Sequence, residues 1–316
     1  MPKLSNPHHG SLQFWPRKRA EKILPSANWR VVKGKEKSSG VLGFIAYKVG
    51  MGTAIVKDNT SDSMTKGKKV ILPVTILESP NMKICSVRFY KNGKVTKDVI
   101  VSSDKELKKV IRLPKELKPL DSQIPKEYDD IRVIAYSIAK QTNVKKTPDI
   151  IELGVNAENK LEYVKSLVGK EISIKDFLQY DMLDIRALTT GRGLVGPVKR
   201  FGINLKQHKT EKGVRRPGSL GPWHPARVTF VTPMAGQLGM FTRVHYNLKV
   251  LSSGSVSEKN INPNHGFKHY GKIKSNYILI KGSVQGPSKR QVLLTPSFRP
   301  TKHTEKKKYE FQELVM

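Results

Sequence analysis

Residues 41–56 have the sequence VLGFIAYKVGMGTAIV, in which two short apolar runs flank a segment that contains Gly50 and Gly52. Short apolar runs that are rich in β-branched and aromatic side chains and bounded by glycine are typical of buried strands. We therefore predict one strand at residues 41–47, ended by the two glycines, and a second strand at residues 53–56.

More strands are predicted on the C-terminal side of this stretch. Residues 69–77 alternate between apolar and polar side chains well enough for a third strand. Two further runs, residues 84–90 and 95–101, flank Asn92-Gly93, a dipeptide that favours the type I′ turn of a β-hairpin. Several short strands separated by turns indicate a barrel.

The pattern changes after residue 103. A helix is predicted because acidic residues precede apolar residues that fall on one face of a 3.6-residue period. The acids are Glu127, Asp129 and Asp130, and the apolar residues are Ile131, Ile134, Ala135, Ile138 and Ala139. Residues 149–155 are predicted to form a strand, and residues 159–168 a second helix closed by Gly169. We interpret this region as an α/β insertion.

Strand patterns return after residue 172. The predicted strands are residues 183–188, 243–251, 276–281 and 291–295. They would complete the barrel that begins before the insertion, so the predicted fold class is mainly β with an α/β insertion. The chain would begin with an extended N-terminal arm (residues 1–38), the first part of the barrel (39–103) and the inserted region (104–172). The barrel return (173–200), a central loop (201–242) and the barrel completion with a basic C-terminal tail (243–316) would follow.

Residues 189–242 have no helical period and are rich in glycine and proline. Structureless loops longer than about 12–15 residues are uncommon in compact domains unless they are functional or disordered. This one also contains Trp223, Phe230 and Phe241, which disordered spacers avoid. We predict a loop that becomes ordered on a partner, and its glycines allow the backbone to approach phosphates closely.

The charge of the chain indicates what that partner is. Lys and Arg number 58 against 26 Asp and Glu, a formal net charge of +32. Such an excess destabilises a compact chain by self-repulsion, and a polyanion relieves it. Nucleic acid is favoured because neutralised phosphates release counterions. A membrane surface is the alternative, but the sequence has no amphipathic basic helix to bind one.

The N-terminal arm, residues 1–38, interleaves aromatic and basic side chains, as in Phe14, Trp15, Arg17, Lys18 and Arg19. This composition buries too little apolar surface to fold alone. It suits a strand that threads between RNA helices, with rings on bases and cations on phosphates. A solubilising tail is the alternative, although such tails seldom contain Trp and Phe.

Cysteine content and the absence of apolar stretches predict the compartment. The single cysteine, Cys85, rules out an internal disulfide and a cysteine-based zinc site, and we expect it to be a buried structural thiol. The N-terminus has no signal-peptide pattern, and no apolar stretch approaches the ~20 residues that cross a bilayer. We therefore expect a soluble cytoplasmic protein.

Eight short motifs carry a family resemblance. They are residues 43–51 (GFIAYKVGM), 196–202 (GPVKRFG), 216–227 (RPGSLGPWHPAR), 235–239 (AGQLG), 261–263 (INP), 266–271 (GFKHYG), 277–284 (YILIKGSV) and 286–290 (GPSKR). In this order they resemble the universal large-subunit ribosomal protein L-three family, archaeal type, along nearly the whole chain.

The resemblance implies a six-stranded translation-type β-barrel with an inserted α/β region, an extended N-terminal arm and a long central finger loop. It implies a primary rRNA-binding protein, bound near the 3′ end of 23S-type rRNA, that nucleates subunit assembly. The finger, residues 201–242, would reach toward the peptidyl-transferase centre with Trp223 near its tip. Ribosomal proteins L-fourteen and L-twenty-four-e would be neighbours.

The charge clusters, the aromatic residues and the resemblance together predict a set of rRNA-binding residues. They are Phe14, Trp15, Arg17, Lys18, Arg19, Lys199, Arg200, Lys206, Lys209, Lys212, Arg215, Arg216, Trp223, His224, Arg227, Gln237, Arg243, Lys268, His269, Lys289 and Arg290. We predict no catalytic residue, metal ligand, cofactor or small-molecule substrate.

Two other classes of function are considered, an RNA-modifying enzyme and a DNA-compacting protein. Gly191 and Gly196 have the spacing of a phosphate-binding loop, but Pro197 follows where the motif needs lysine. His265 and His269 are four residues apart, yet the intervening glycine and a nearby proline argue against a metal-binding helix. No clustered acid–base set is present, and a DNA-compacting protein would be distinguished by its preference for duplex DNA.

Overall fold

The computed structural model describes residues 14–32 and 39–315, and the structure is mainly β. The described chain divides into two compact units. We call residues 14–22 and 188–242 the loop unit, and residues 23–32, 39–187 and 243–315 the sheet unit. The remaining parts of the predicted N-terminal arm, residues 1–13 and 33–38, lie outside the described residues.

The strands and helices have the following bounds. The strands are β1 (Gly40–Val41), β2 (Phe44–Asp58), β3 (Lys69–Ser79), β4 (Met82–Lys91), β5 (Lys94–Ile100), β6 (Asp130–Ser137), β7 (Ile150–Asn156), β8 (Met182–Leu188), β9 (Gly193–Val195), β10 (Gly236–Leu238), β11 (Thr242–Ser255), β12 (Asn276–Lys281), β13 (Gln291–Pro296) and β14 (Tyr309–Val315). The α-helices are α1 (Lys160–Leu167), α2 (Ile174–Phe177), α3 (Pro197–Phe201) and α4 (Lys302–Lys306). The 3₁₀ helices of the described residues are Leu107–Lys109, Asp121–Gln123 and Ala139–Gln141. Within the described ranges, no helix is long and apolar enough to cross a bilayer.

The larger sheet has seven strands in the order β13-β8-β11-β12-β3-β2-β14. An additional pairing of β13 with β2, from Gln291 opposite Tyr47 to Leu294 opposite Phe44, closes six of these strands into a ring and leaves β14 attached outside it. The side chains of Phe44 and Leu293 are fully buried in the core of the sheet unit. The predicted strand at residues 276–281 matches β12.

The smaller sheet has five strands in the order β1-β7-β6-β4-β5. The predicted hairpin is confirmed: β4 and β5 are joined by Asn92 and Gly93, whose φ values of 48° and 75° suit a type I′ turn. The prediction that this hairpin belongs to the ring is wrong, because β4 pairs with β6 and not with a ring strand.

The helix predicted around residues 131–139 is wrong, because this segment forms β6. Ile131, Val133 and Ala135 alternate toward the core with exposures of 0–1%. The strand is central, since β4 pairs with one of its edges and β7 with the other. Hydrogen bonds to a strand on each edge therefore override the helical period.

The prediction that glycines end the first strand is also wrong, because β2 runs without a break from Phe44 to Asp58. Its register against β3 shifts between Lys48 and Gly50, an irregularity of the kind that a β-bulge produces. Bulges bend a strand and often contain glycine. The glycines therefore accompany an irregularity within one long strand and do not separate two short ones.

The predicted helix at residues 159–168 is confirmed as α1. The side chain of Asn159 caps the helix by accepting a hydrogen bond from the backbone N–H of Glu162. Gly169 follows the C-terminus with a φ of 81°, a left-handed conformation that glycine adopts without strain.

Part of the predicted N-terminal arm belongs to the core. Trp29 is only 7% exposed in the sheet unit. A Cβ atom at Gly43 would lie 2.8 Å from both the Trp29 ring and a methyl group of Leu153, so glycine is required for this close packing. The arm is therefore not uniformly extended.

The predicted basic C-terminal tail is also partly structured. Residues 302–306 form α4, and β14 pairs with β2 along Tyr309–Val315. β14 contains two glutamates and no lysine or arginine, so the positive charge of this region ends before the strand.

Cys85 is buried in β4 with an exposure of 2%. Burial, with a smaller effect of the Asp98 carboxylate, raises the pKa of the thiol to about 11. A thiol with this pKa is protonated and unreactive at neutral pH. This confirms the prediction of a structural thiol.

Candidate nucleic-acid interface

The loop unit has an extreme charge. Its described residues include thirteen Lys and Arg but only two acids, Glu21 and Glu211, which is a net charge of +11. It contains sixteen of the twenty-one predicted rRNA-binding residues. The other five lie in the sheet unit and are Arg243, Lys268, His269, Lys289 and Arg290.

A short two-stranded sheet closes the base of the loop. β9 and β10 are antiparallel, with Leu194 opposite Gln237. Gly239 follows β10 with a φ of 81°, and a Cβ atom there would lie 2.0 Å from the carbonyl oxygen of Thr190. Only glycine fits this position, so close packing of two backbones explains the last residue of the AGQLG motif.

Helix α3 lies between these two strands in the chain. Pro197 occupies its first turn, where the missing N–H has no cost, and Gly202 ends it with a φ of 66°. Lys199 and Arg200 lie in different environments on α3: the Lys199 side chain is exposed, whereas Arg200 is half-buried.

Arg200 is bonded to the protein itself. Its Nε donates to the carbonyl of Gln237 and its Nη1 to the carbonyl of Met234, both at 3.0 Å. Its Nη2 reaches the carbonyl of Arg17 at 3.5 Å. Burial and the nearby Arg17 lower the pKa of the guanidinium from its ordinary value. Arg200 therefore holds the two ends of the loop and the N-terminal segment together.

The N-terminal segment packs within the loop unit. The guanidinium of Arg17 lies 4.2 Å above the centre of the Phe201 ring, and its Nη1 donates to the carbonyl of Arg200. The ring of Trp15 lies 4.2 Å from that of Phe230. Ala20 donates its backbone N–H to Met240. The predicted arm is thus attached to other parts of the loop unit from residue 15 to residue 20.

Residues 203–235 contain turns but no helix or strand. The predicted contacts of this part are all exposed, and they are Lys206, Lys209, Lys212, Arg215, Arg216, Trp223, His224 and Arg227. The Trp223 side chain is 88% exposed. None of the six Lys and Arg side chains forms an ion pair with another described residue. They are positioned to neutralise an external polyanion.

The arginines of the five-stranded sheet show the opposite arrangement. Arg88 bonds to Asp98 at 2.7 Å, and Arg132 bonds to Glu152 at 2.9 Å. These cations are neutralised within the protein. Basic residues of the described chain therefore differ, because carboxylates neutralise Arg88 and Arg132 but none pairs with the six cations at residues 206–227.

The predicted contacts Lys268 and His269 lie in a turn of the sheet unit. The buried carboxylate of Glu78 holds this turn in place through hydrogen bonds. The Lys268 and His269 side chains are exposed, and His269 has a φ of 62°. The hydroxyl of Tyr270 donates to the carboxylate of Glu78, which is fully buried and also accepts the N–H groups of Lys274 and Ser275. Burial and Glu78 raise the pKa of Tyr270.

The predicted contacts Lys289 and Arg290 lie next to β13. Lys289 is exposed, whereas Arg290 is half-buried, and burial lowers the pKa of its guanidinium. The ammonium group of Lys48 donates to the carbonyls of Val284 and Gly286 at 2.5 and 2.9 Å. The sequence-based prediction missed Lys48 and Glu78 as residues that hold these two basic turns.

Arg200 provides a test of the loop geometry. We expect Arg200→Lys to increase amide exchange at residues 234–238 and 14–20, since an ammonium group cannot reproduce the forked contacts, and charged hydrogen bonds are worth about 1.5–3 kcal/mol each. Hydrogen–deuterium exchange with mass spectrometry measures this. Lys199→Ala is the control and should leave exchange unchanged; equal exchange in both variants would contradict the role of Arg200.

Several known proteins are similar to this chain in sequence. The family model described as Ribosomal protein L3 matches residues 1–106 and 88–314. The chain is similar to the large ribosomal subunit protein uL3 of Methanococcus aeolicus, with 40% identity over 315 residues that cover 94% of this chain and 92% of the relative. The uL3 protein of Methanocaldococcus jannaschii is 37% identical over 94% of this chain and 92% of the relative. The uL3 protein of Archaeoglobus fulgidus is 37% identical over 95% of this chain and 94% of the relative.

Proposed function

This chain belongs to the ribosomal protein L3 family, and from that membership we propose that it binds large-subunit rRNA through its loop unit. As a member of this family it is a structural component of the large ribosomal subunit in the cytoplasm and not an enzyme. The observation that carries the proposal is the net charge of +11 in the loop unit, whose exposed cations at residues 206–227 have no ion-pair partner among the described residues.

The finer assignment follows the family resemblance. We propose that the closed ring of six strands is the translation-type barrel and that residues 201–242 are the finger, directed toward the peptidyl-transferase centre. We further propose that the chain binds near the 3′ end of 23S-type rRNA and nucleates subunit assembly. Ribosomal proteins L-fourteen and L-twenty-four-e are the proposed neighbours.

The basic and aromatic side chains of the loop unit have different roles in this proposal. Exposed cations such as Lys206, Arg215 and Arg216 neutralise phosphates, whereas Arg200 uses its guanidinium to set the loop geometry. Trp223 presents an exposed ring that can stack on a base or wedge between bases. Phosphate contacts supply most of the affinity and ring contacts help to fix the position.

The salt dependence of binding tests this proposal. Purified full-length protein should bind a transcript of the 3′ domain of large-subunit rRNA with a log–log salt slope of ~0.7–0.9 per phosphate contacted. Six to ten contacts would reduce the affinity by about 10³ to 10⁵ between 50 and 200 mM salt. Filter binding at several salt concentrations measures the slope.

Two outcomes would contradict the proposal. An affinity that does not change with salt would exclude phosphate neutralisation as its source. Equal affinity for duplex DNA of the same length in a competition assay would favour the DNA-compacting alternative. A high-salt sedimentation of cell lysate adds an independent check, since the protein should travel with the large subunit.

A further inference from the structure

A cavity in the loop unit is lined by exposed rings. Its volume is about 280 Å³, and its lining residues come from the N-terminal segment, α3 and residues 228–234. Phe14, Trp15 and Phe230 are 73%, 53% and 73% exposed. Exposed apolar surface of this kind, gathered in one place, marks a binding site more often than a free surface.

The walls of the cavity are held in place before any ligand binds. The rings of Trp15 and Phe230 are 4.2 Å apart and tilted by 34°. Arg17 covers Phe201, and Arg200 bonds to the backbone of Met234. A preformed site avoids the entropic cost of ordering its side chains when the ligand enters.

The size and shape of the cavity limit its occupant. Cavities for drug-sized ligands are about 300–1,000 Å³, so about 280 Å³ suits a single planar heterocycle. Thr229 and Thr232 also line the cavity and bond to each other through their hydroxyl groups. Each hydroxyl keeps an acceptor lone pair for the edge of a heterocycle.

Charge identifies the kind of molecule that carries this heterocycle. The cavity is lined by Arg17 and Arg200 and by no carboxylate, in a unit with a net charge of +11. A basic protein segment would be repelled here, whereas a nucleotide brings a flat apolar base and a phosphate together.

We propose that this cavity binds one unstacked nucleobase of the rRNA, with Phe230 and Trp15 as its stacking surface. The inference rests on the proposed rRNA binding and deepens it: Phe14, Trp15 and Arg17 act together with Phe230 as one site. It adds Phe230 and the two threonines to the residues that contact RNA.

Phe230→Ala tests the site in the full-length protein bound to the rRNA transcript. Affinity should fall about 5- to 150-fold, because base–aromatic stacking is worth ~1–3 kcal/mol and each 1.4 kcal/mol is tenfold. The log–log salt slope should not change, because no phosphate contact is lost. Phe230→Trp should restore the affinity. Leu194→Ala, which removes an 82% exposed side chain of the same unit outside the cavity, is the matched control.

Ultraviolet cross-linking followed by mass spectrometry locates the base. We expect nucleotide adducts on Trp15 or Phe230 in the wild-type complex. The site proposal is overturned if Phe230→Ala binds as the wild type does, if it changes the salt slope, or if the adducts lie only elsewhere. Wild-type protein that binds no rRNA at any salt would instead overturn the proposed function, and the nucleobase site with it.

Discussion

Deletion of residues 206–234 is expected to leave the sheet unit folded while removing much of the rRNA affinity. The deleted segment contains no strand of either large sheet. The elements that flank it are joined, because β9 pairs with β10 and Arg200 bonds to Gln237. A short glycine linker from Leu205 to Ala235 can therefore close the gap at a small entropic cost.

The loss of affinity follows from the charges that the deletion removes. Six cations leave with the segment, namely Lys206, Lys209, Lys212, Arg215, Arg216 and Arg227. If each contacts one phosphate, the log–log salt slope should fall by ~4–5. The free energy of unfolding of the sheet unit should change by less than about 0.5 kcal/mol. We also expect large subunits that contain the deleted protein to be impaired at the peptidyl-transferase region.

Circular dichroism with urea, filter binding and a peptidyl-transfer assay on purified subunits measure these three effects. A full-length variant in which the six cations are replaced by glutamine separates the loss of charge from the change of length. Unfolding of the sheet unit on deletion would show that the loop supports the fold and would contradict this expectation.

Glu78→Ala is expected to destabilise the sheet unit by about 3–5 kcal/mol. The substitution leaves the Tyr270 hydroxyl and the N–H groups of Lys274 and Ser275 without their acceptor. Each buried group left unsatisfied costs about 1–3 kcal/mol. For a unit of this size the melting temperature should fall by roughly 6–20 °C.

The same substitution should weaken rRNA binding, because the turn that presents Lys268 and His269 loses its attachment to β3. Thermal unfolding and filter binding measure both effects. Glu78→Gln keeps one carbonyl acceptor, so its melting temperature should lie between those of the wild type and Glu78→Ala. Glu313→Ala is the control, since that glutamate is exposed on β14. Equal melting temperatures for the Glu78 and Glu313 variants would contradict the role of the buried carboxylate.

Local signals predicted several elements correctly because the decisive interactions are short in range. The Asn92-Gly93 turn adopts the positive φ angles that this dipeptide favours, and Asn159 caps α1 with its own side chain. β12 has the bounds of a continuous apolar run between polar residues. In each case neighbouring residues supply the hydrogen bonds or the conformational preference.

Local signals failed where pairing with other strands decides the structure. In residues 131–138 the isoleucines fit a helical period, whereas Ile131, Val133 and Ala135 alternate as in a strand. Pairing with β4 and β7 on the two edges of β6 selects the strand, and residues 92–129 separate β4 from β6 in the chain. The continuous β2 has the same cause, since β3 pairs with it on both sides of the glycines.

The sequence by itself determined the family, the mainly β composition and the cationic character, because motif identity and net charge do not depend on how the chain packs. Only the tertiary structure separated two kinds of basic residue. Arg200 and Arg216 look alike in the sequence. Arg200 donates hydrogen bonds to the carbonyls of Met234 and Gln237, whereas Arg216 is exposed. Backbone acceptors brought together from distant positions make that difference, because they decide which cations are bonded within the protein and which remain exposed.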